Sequence, residues 1–154
     1  MDWSRYIAGY KAFLKIEKSL SGNSVAAYLT DLDKMKAFLD IRGLHLLPEE
    51  ITYELLKDFL VWVNELGMSP RSQARLVSGI RSFFRYLLID EKIDEDPASL
   101  LEAPKPGRKL PVVLSIEEID RIIAAIDLSK NEGHRNKAII ETLYSCGLRV
   151  SELI

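Results

Sequence analysis

Hydrophobic side chains recur every three or four residues along most of this chain, which is the spacing that one face of an α-helix requires. Ahead of residue 103, turn-forming and capping residues interrupt the pattern, so it predicts four helices. Their predicted spans are about 3–18, 24–40, from just after Pro48 to Gly67, and from the Ser69-Pro70 pair to about 89. No stretch alternates between apolar and polar residues over the length of a strand. The sequence therefore predicts an all-α fold that opens with a bundle of four to five helices.

A proline-rich segment, APKPGRKLP at 103–111, separates this helical part from the rest of the chain. Three prolines and one glycine within nine residues cannot continue a helix, so the segment is expected to be an extended linker. The sequence thus predicts a first domain over 1–102, the linker over 103–111, and the beginning of a second domain over 112–154.

Two further helices are predicted after the linker. Ser115 and Glu118 have the spacing of a capping box, which marks the start of a helix. The next helix is expected over about 134–146, and Gly147 is placed to end it in a left-handed conformation. A new apolar pattern starts at 148 and reaches the last residue without a terminating signal, so we expect these residues to hold only the first helices of a truncated second domain.

The composition narrows the classes of function. Nearly half of the residues are hydrophobic, enough for a packed core, and no apolar run approaches the roughly 20 residues of a membrane-spanning helix. The first residues are charged throughout, unlike a signal peptide, so we expect a cytoplasmic protein without a membrane partner. Cys146 is the single cysteine, and His45 and His134 stand apart from other ligand-type residues. Nucleotide-binding motifs are absent as well, so we expect no metal, no other cofactor and no small-molecule ligand.

Charge is distributed unevenly, although the formal net charge is only −2. Residues 67–89 contain four arginines and no acidic residue, and the segment 90–96 that follows is strongly acidic. On a helical wheel the polar residues of the fourth helix fall opposite its apolar ones, Leu76, Ile80, Phe83, Phe84 and Leu87. These polar residues are the candidate DNA-binding residues Arg71, Arg75, Ser78, Arg81, Ser82 and Arg85.

Four arginines on one helix face, with no carboxylate expected to neutralise them, favour a polyanionic partner. Like charges four residues apart repel each other, and the guanidinium fork suits phosphate and guanine. An ordinary solvated face is the alternative, and the helix alone does not decide between the two. The linker adds three cations, whose alternative roles are contact with a phosphate backbone or simple solubility: Lys105, Arg108 and Lys109. Together, helix and linker predict a clamp around double-stranded DNA.

Two residues near the end of the chain have a plain structural interpretation. Arg149 follows a helix-ending glycine and precedes Glu152 by three residues, a spacing that favours an ion pair at a helix start. Cys146 lies in a Ser-Cys-Gly corner and is expected to be a small buried residue rather than a nucleophile.

Five segments of the chain, in order, resemble tyrosine recombinases of the Xer type. The most specific is ETLYSCGLRVSEL at 141–153, which is similar without gaps to the form LLYxTGLRxSEL around the first catalytic arginine of that family. NSVAAYLTDLDKMKAFL and RSQARLVSGIRSFFRYLLID resemble two helices of its core-binding domain. DPASLLEAPKP resembles its linker, and LPVVLSIEEIDRII resembles the start of its catalytic domain. The resemblance implies a SAM-like core-binding bundle, a linker and the first helices of a catalytic domain.

The resemblance also implies a chemistry. Enzymes of this family cut and rejoin duplex DNA through a covalent 3′-phosphotyrosine, and they need no metal or nucleotide. Two arginines and a histidine stabilise the charge on the scissile phosphate, and a lysine protonates the leaving oxygen. Arg149 matches the first of these arginines. The other catalytic residues of the family would lie beyond Ile154, so the chain is expected to bind DNA without cleaving it.

Partners and a cellular role follow from the same resemblance. In this family four protomers assemble on two DNA sites, and Xer members resolve chromosome dimers at cell division. The alternatives are a mobile-element integrase of the same family, a stand-alone DNA-binding module, and a helical protein-interaction domain with an acidic partner. One departure lies in the second helix, where Leu29 and Thr30 replace an arginine pair that is frequent in the family. This departure shifts the expected phosphate contacts to the fourth helix.

Overall fold

The computed structural model describes residues 3–105, 107, 111 and 113–153. All regular structure within these residues is helical, which confirms the predicted all-α fold. The α-helices, numbered α1 to α7 in chain order, are Ser4–Ile16, Gly22–Ile41, Tyr53–Glu65, Pro70–Ile89, Ile116–Ala124, Asn131–Cys146 and Val150–Leu153. The chain divides into two compact units, Met1–Gly107 and Arg108–Ile154. No helix in the described ranges is both long enough and apolar enough to cross a membrane.

The first unit is a four-helix bundle in which α1 to α4 bury their apolar faces against one another. α2 and α4 each contact the other three helices of the bundle. An aromatic cluster joins α1 to α4, since the ring centroids of Tyr10 and Phe83 lie 5.2 Å apart and those of Phe13 and Tyr86 lie 5.3 Å apart. This packing holds α4 in the bundle and so fixes the orientation of its outer, polar face.

α4 begins and ends where the sequence predicts. The Ser69 hydroxyl accepts a hydrogen bond from the Ser72 amide at 3.3 Å, and Pro70 takes the first helical position, where no N–H is needed. The predicted apolar arc is confirmed, because all of its members are fully buried: Leu76, Ile80, Phe83, Phe84 and Leu87. Burying a side chain of this size stabilises a fold by roughly 1.5–3 kcal/mol. The arc therefore determines which face of α4 is left to the solvent.

The third helix differs from its prediction at the N-terminal end. Instead of one helix starting just after Pro48, the chain forms a 3₁₀ turn at Pro48–Glu50 and then an extended residue, Ile51. α3 starts only after Thr52, whose hydroxyl accepts a hydrogen bond from the Leu55 amide at 3.3 Å. The apolar periodicity continues through the turn, so periodicity alone could not show that α3 begins only after a capping side chain.

The second unit contains α5, α6 and α7, with α6 packed against both of the others. The predicted capping box is confirmed, because the Ser115 amide donates to Glu118 Oε2 at 2.8 Å and the Glu118 amide donates to Ser115 Oγ at 3.3 Å. Gly147 ends α6 in the left-handed conformation, with φ at 62°, again as predicted. The helix itself starts three residues earlier than expected, at Asn131.

Apolar side chains of the second unit stay largely exposed. Among its described residues only Gly133 is buried, and Val113 and Val150 are 79% and 62% exposed. Cys146 is exposed as well, so the prediction that it is buried was wrong. The physical reason is that α6 buries nothing larger than a glycine, so no covered site exists at its C-terminal end.

Candidate nucleic-acid interface

The outer face of α4 presents four exposed arginines, of which Arg71 and Arg85 stand at its two ends and Arg75 and Arg81 between them. Arg85 follows Arg71 by fourteen positions, which places them about 21 Å apart along the axis at ~1.5 Å per residue. Within the described part of the chain, neither of these two forms a salt bridge. Their charges at the two ends of the face are therefore uncompensated.

The two serines of this face are used differently. Ser78 is exposed, and its hydroxyl donates to the Ala74 carbonyl one turn earlier, at 3.0 Å. Ser82 is half-buried; burial raises the pKa of Tyr10, and the neighbouring Ser82 hydroxyl acts in the opposite direction. The Tyr10 hydroxyl donates to the Gly79 carbonyl at 3.4 Å. Ser82 is thus partly covered beside Tyr10, whereas Ser78 stays accessible.

Arg75 is paired, although no acidic residue lies near it in the sequence. Its Nη1 lies 2.6 Å from Oδ2 of Asp31 on α2, and its Nη2 lies 2.9 Å from Oδ1 of the same carboxylate. Nη1 also donates to the Ala27 carbonyl at 3.2 Å. The expectation that no carboxylate neutralises these arginines was therefore wrong at Arg75, because the carboxylate comes from a different helix.

Asp31 is fully buried where α2 crosses α4. Lys34, one turn later on α2, places Nζ 3.5 Å from Oδ1 of Asp31. Burial raises the pKa of Asp31 above its ordinary value, while Arg75 and Lys34 act to lower it. A Cβ on Gly79 would come within 3.0 Å of Asp31 Oδ2 and 3.4 Å of Tyr28 Cδ1. The glycine of α4 thus leaves the space that the carboxylate occupies.

Arg81 ties the segment after α4 back to the helix. Its guanidinium donates to the Leu101 carbonyl, and both Ala98 and Leu101 are buried against the bundle. Asp96 fixes the preceding turn, because its Oδ1 accepts a hydrogen bond from the Ala98 amide at 2.8 Å. A carbonyl carries no net charge, so this hydrogen bond holds the segment without neutralising the charge of Arg81.

Lys105 is the linker cation that lies within the described residues, and it is exposed. It follows Leu101 by four residues, so the hydrogen bond from Arg81 holds the start of the linker beside α4. The other two predicted linker cations, Arg108 and Lys109, lie outside the described residues.

Arg149 forms the ion pair that its spacing predicts. Its Nη1 lies 3.0 Å from Oε1 of Glu152, and its backbone amide donates to Oε2 of the same side chain at 2.8 Å. Both contacts close the first turn of α7. The Arg149 side chain is 82% exposed, so its guanidinium stays accessible to a ligand.

The sequence-based candidates did not include Asp31 and Lys34. Asp31 stands within the apolar stripe of α2, three residues after Tyr28 and four before Met35. A carboxylate in such a position needs a partner, because an unpaired buried charge is strongly unfavourable. Its place in the stripe was the signal that Asp31 has a positively charged partner.

Residues 7–91, more than half of the chain, match the protein family described as phage integrase, N-terminal SAM-like domain. The matched range begins within α1 and ends just after α4, so it contains nearly all of the bundle and the whole of the arginine face.

Curated proteins named tyrosine recombinase XerD are similar to the chain over most of its length. The Pseudomonas aeruginosa protein is 43% identical over 141 residues, which cover 92% of this chain and 47% of that relative. For the Listeria innocua protein the identity is 37% over 142 residues, with 92% and 48% covered. For the Staphylococcus epidermidis protein it is 38% over 148 residues, with 96% and 50% covered. The chain thus spans about half the length of the curated relatives it matches.

Proposed function

This chain belongs to the phage integrase family through its N-terminal SAM-like domain, and we propose that it is the DNA-binding N-terminal part of a site-specific tyrosine recombinase. The observation that carries the proposal is the outer face of α4. There Arg71, Arg81 and Arg85 keep their charges exposed while the opposite face is sealed in the core. Relatives named tyrosine recombinase match 92–96% of the chain, which supports the same assignment.

The proposed ligand is double-stranded DNA, held mainly through its phosphates. A helix face about 21 Å long, at ~1.5 Å per residue, is long enough to lie in or across a major groove. Exposed guanidinium groups donate to phosphate oxygens in a fork geometry, and each neutralised phosphate releases counterions. The contacting residues are Arg71, Ser78, Arg81 and Arg85 of α4 and the linker cations Lys105, Arg108 and Lys109. In this proposal 1–102 is the core-binding domain, 103–111 the linker and 112–154 the start of the catalytic domain.

The reaction of the whole protein is cutting and rejoining of duplex DNA through a covalent 3′-phosphotyrosine. Arg149 would stabilise the charge that develops on the scissile phosphate, and loss of one such donor typically costs ~10²–10³-fold in rate. The resemblance places no other member of the catalytic set on these 154 residues. They are therefore expected to bind duplex DNA and to form no covalent adduct with it on a denaturing gel. A covalent adduct would contradict this assignment.

For the cellular role we propose chromosome dimer resolution in the cytoplasm, by a tetramer of protomers on two DNA sites. Its support is that the reported relatives all carry the name tyrosine recombinase XerD. Integration of a mobile element by the same chemistry is the competing role, and the DNA site that the protein selects distinguishes the two.

A binding titration against duplex DNA at several salt concentrations tests the proposal. The logarithm of the binding constant falls with the logarithm of salt concentration with a slope near −0.9 for each phosphate neutralised. We expect a slope steeper than about −3, which corresponds to four or more phosphates. A flat response would remove DNA as the partner of the α4 face and would favour an acidic protein instead.

A further inference from the structure

Asp31 is the one charged side chain that is buried among the described residues. Its carboxylate engages Arg75 through both terminal nitrogens, and the Ala27 carbonyl accepts a further hydrogen bond from Nη1. A guanidinium has five N–H donors, so these contacts use three of them. The Arg75 side chain remains 42% exposed, so it lies at the edge of the face that the other arginines form.

A carboxylate that meets a guanidinium in this way occupies the same fork that a phosphate would use. For Arg75 to meet a phosphate with this fork, it would have to leave Asp31, and the carboxylate would then stay buried with Lys34 at 3.5 Å as its remaining partner. Loss of one partner of a buried ion pair is strongly unfavourable. The three groups together contribute one positive charge to the surface rather than two.

We propose that Asp31 is a positioning residue of the DNA-binding face, which withholds Arg75 from phosphate so that Arg71, Arg81 and Arg85 make the contacts. This inference rests on the proposed function, because it concerns how the same surface meets DNA. It assigns different tasks to four arginines that look equivalent in the sequence. Arg75 holds α4 against α2, and the other three arginines of α4 bind phosphate.

Two variants distinguish an effect of Asp31 on DNA contacts from a role of Asp31 in folding alone. Asp31→Asn keeps the shape of the side chain and removes the charge that holds Arg75. We expect the freed guanidinium to neutralise one more phosphate, which makes the salt slope steeper by about 0.9. Between 50 and 200 mM salt, that corresponds to an extra loss of affinity of about 3.5-fold.

The double variant Asp31→Asn with Arg75→Gln removes one negative and one positive charge together. Because Arg75 makes no phosphate contact in this proposal, the double variant should return to the slope of the parent. Circular dichroism first confirms that each variant is folded, and a mixed-sequence duplex serves as the probe. If Asp31→Asn does not fold, the slope of the double variant still shows whether Arg75 contacts phosphate in the parent.

A slope for Asp31→Asn that is no steeper than the parent's, or a slope for the double variant that is shallower by about 0.9, would overturn the proposal. The second result would mean that Arg75 contacts phosphate in the parent protein. A parent protein without a salt-dependent response would instead refute the proposed function itself, so the two failures are distinguishable.

Discussion

Arg75→Ala tests how much the first unit depends on the pair between α2 and α4. The substitution leaves Asp31 buried and removes two donors, at 2.6 and 2.9 Å. Breaking a buried ion pair from one side typically costs about 3–5 kcal/mol. Here Lys34 stays 3.5 Å from the carboxylate, and the exposed part of the Arg75 site admits water. We therefore expect a loss of about 2–3 kcal/mol in the free energy of unfolding, or roughly 10–20 °C in Tm.

Tryptophan fluorescence during urea denaturation measures this change directly. The chain has two tryptophans, Trp3 and Trp62, and both pack in the bundle, so the signal reports the first unit. Arg85→Ala is the matched control, because Arg85 is exposed and its loss should change stability by less than about 0.5 kcal/mol. If Arg75→Ala is as stable as this control, Asp31 needs no partner and the pair does not stabilise the first unit.

Three further outcomes are expected. Gly9→Ala should destabilise the bundle by about 1–3 kcal/mol in the same denaturation experiment, because its Cβ would collide with the Tyr86 hydroxyl; equal stability would contradict this packing. Arg81→Ala removes the hydrogen bond to the Leu101 carbonyl, so amide hydrogen exchange should become faster in residues 98–105 and stay unchanged in α4. Unchanged exchange in residues 98–105 would contradict this contact. Arg149→Ala should change the DNA affinity of the chain by less than about twofold, because its proposed role is to stabilise the charge that develops on the scissile phosphate and not to hold the duplex. A loss of about tenfold or more would make it a primary DNA anchor.

The sequence predicts α4 well because local and tertiary preferences agree there. Ser69 and Pro70 define its start, and the apolar arc leaves one way to bury the helix. Around Pro48 the two preferences disagree. The apolar periodicity continues through this region, but α3 begins only after the Thr52 cap. The prediction also fails at Cys146, because burial depends on what covers a residue and not on its own character.

The candidate interface could be predicted as a set of residues but not as a set of contacts. The wheel identifies the face of α4, since it depends only on helical geometry. The partners of Arg75 and Arg81 come from α2 and from the segment after α4, at positions 44 and 20 residues away in the chain. Such pairs depend on how the helices cross, and Gly79 sets that crossing by making room for Asp31. Local spacing contains no information of this kind.

Charge-matched double variants test whether the exposed arginines of α4 bind the phosphates of duplex DNA. Arg71→Gln with Arg85→Gln removes two charges from the face, whereas Arg42→Gln with Lys57→Gln removes two cations that lie over the rings of Phe38 and Tyr53. In salt titrations of DNA binding, we expect the first variant to have a slope shallower than the parent's by about 1.8 and the control to differ by less than about 0.5. Equal slopes for the two variants would show that total charge governs binding, and the arginine face of α4 would then not be the DNA-binding surface.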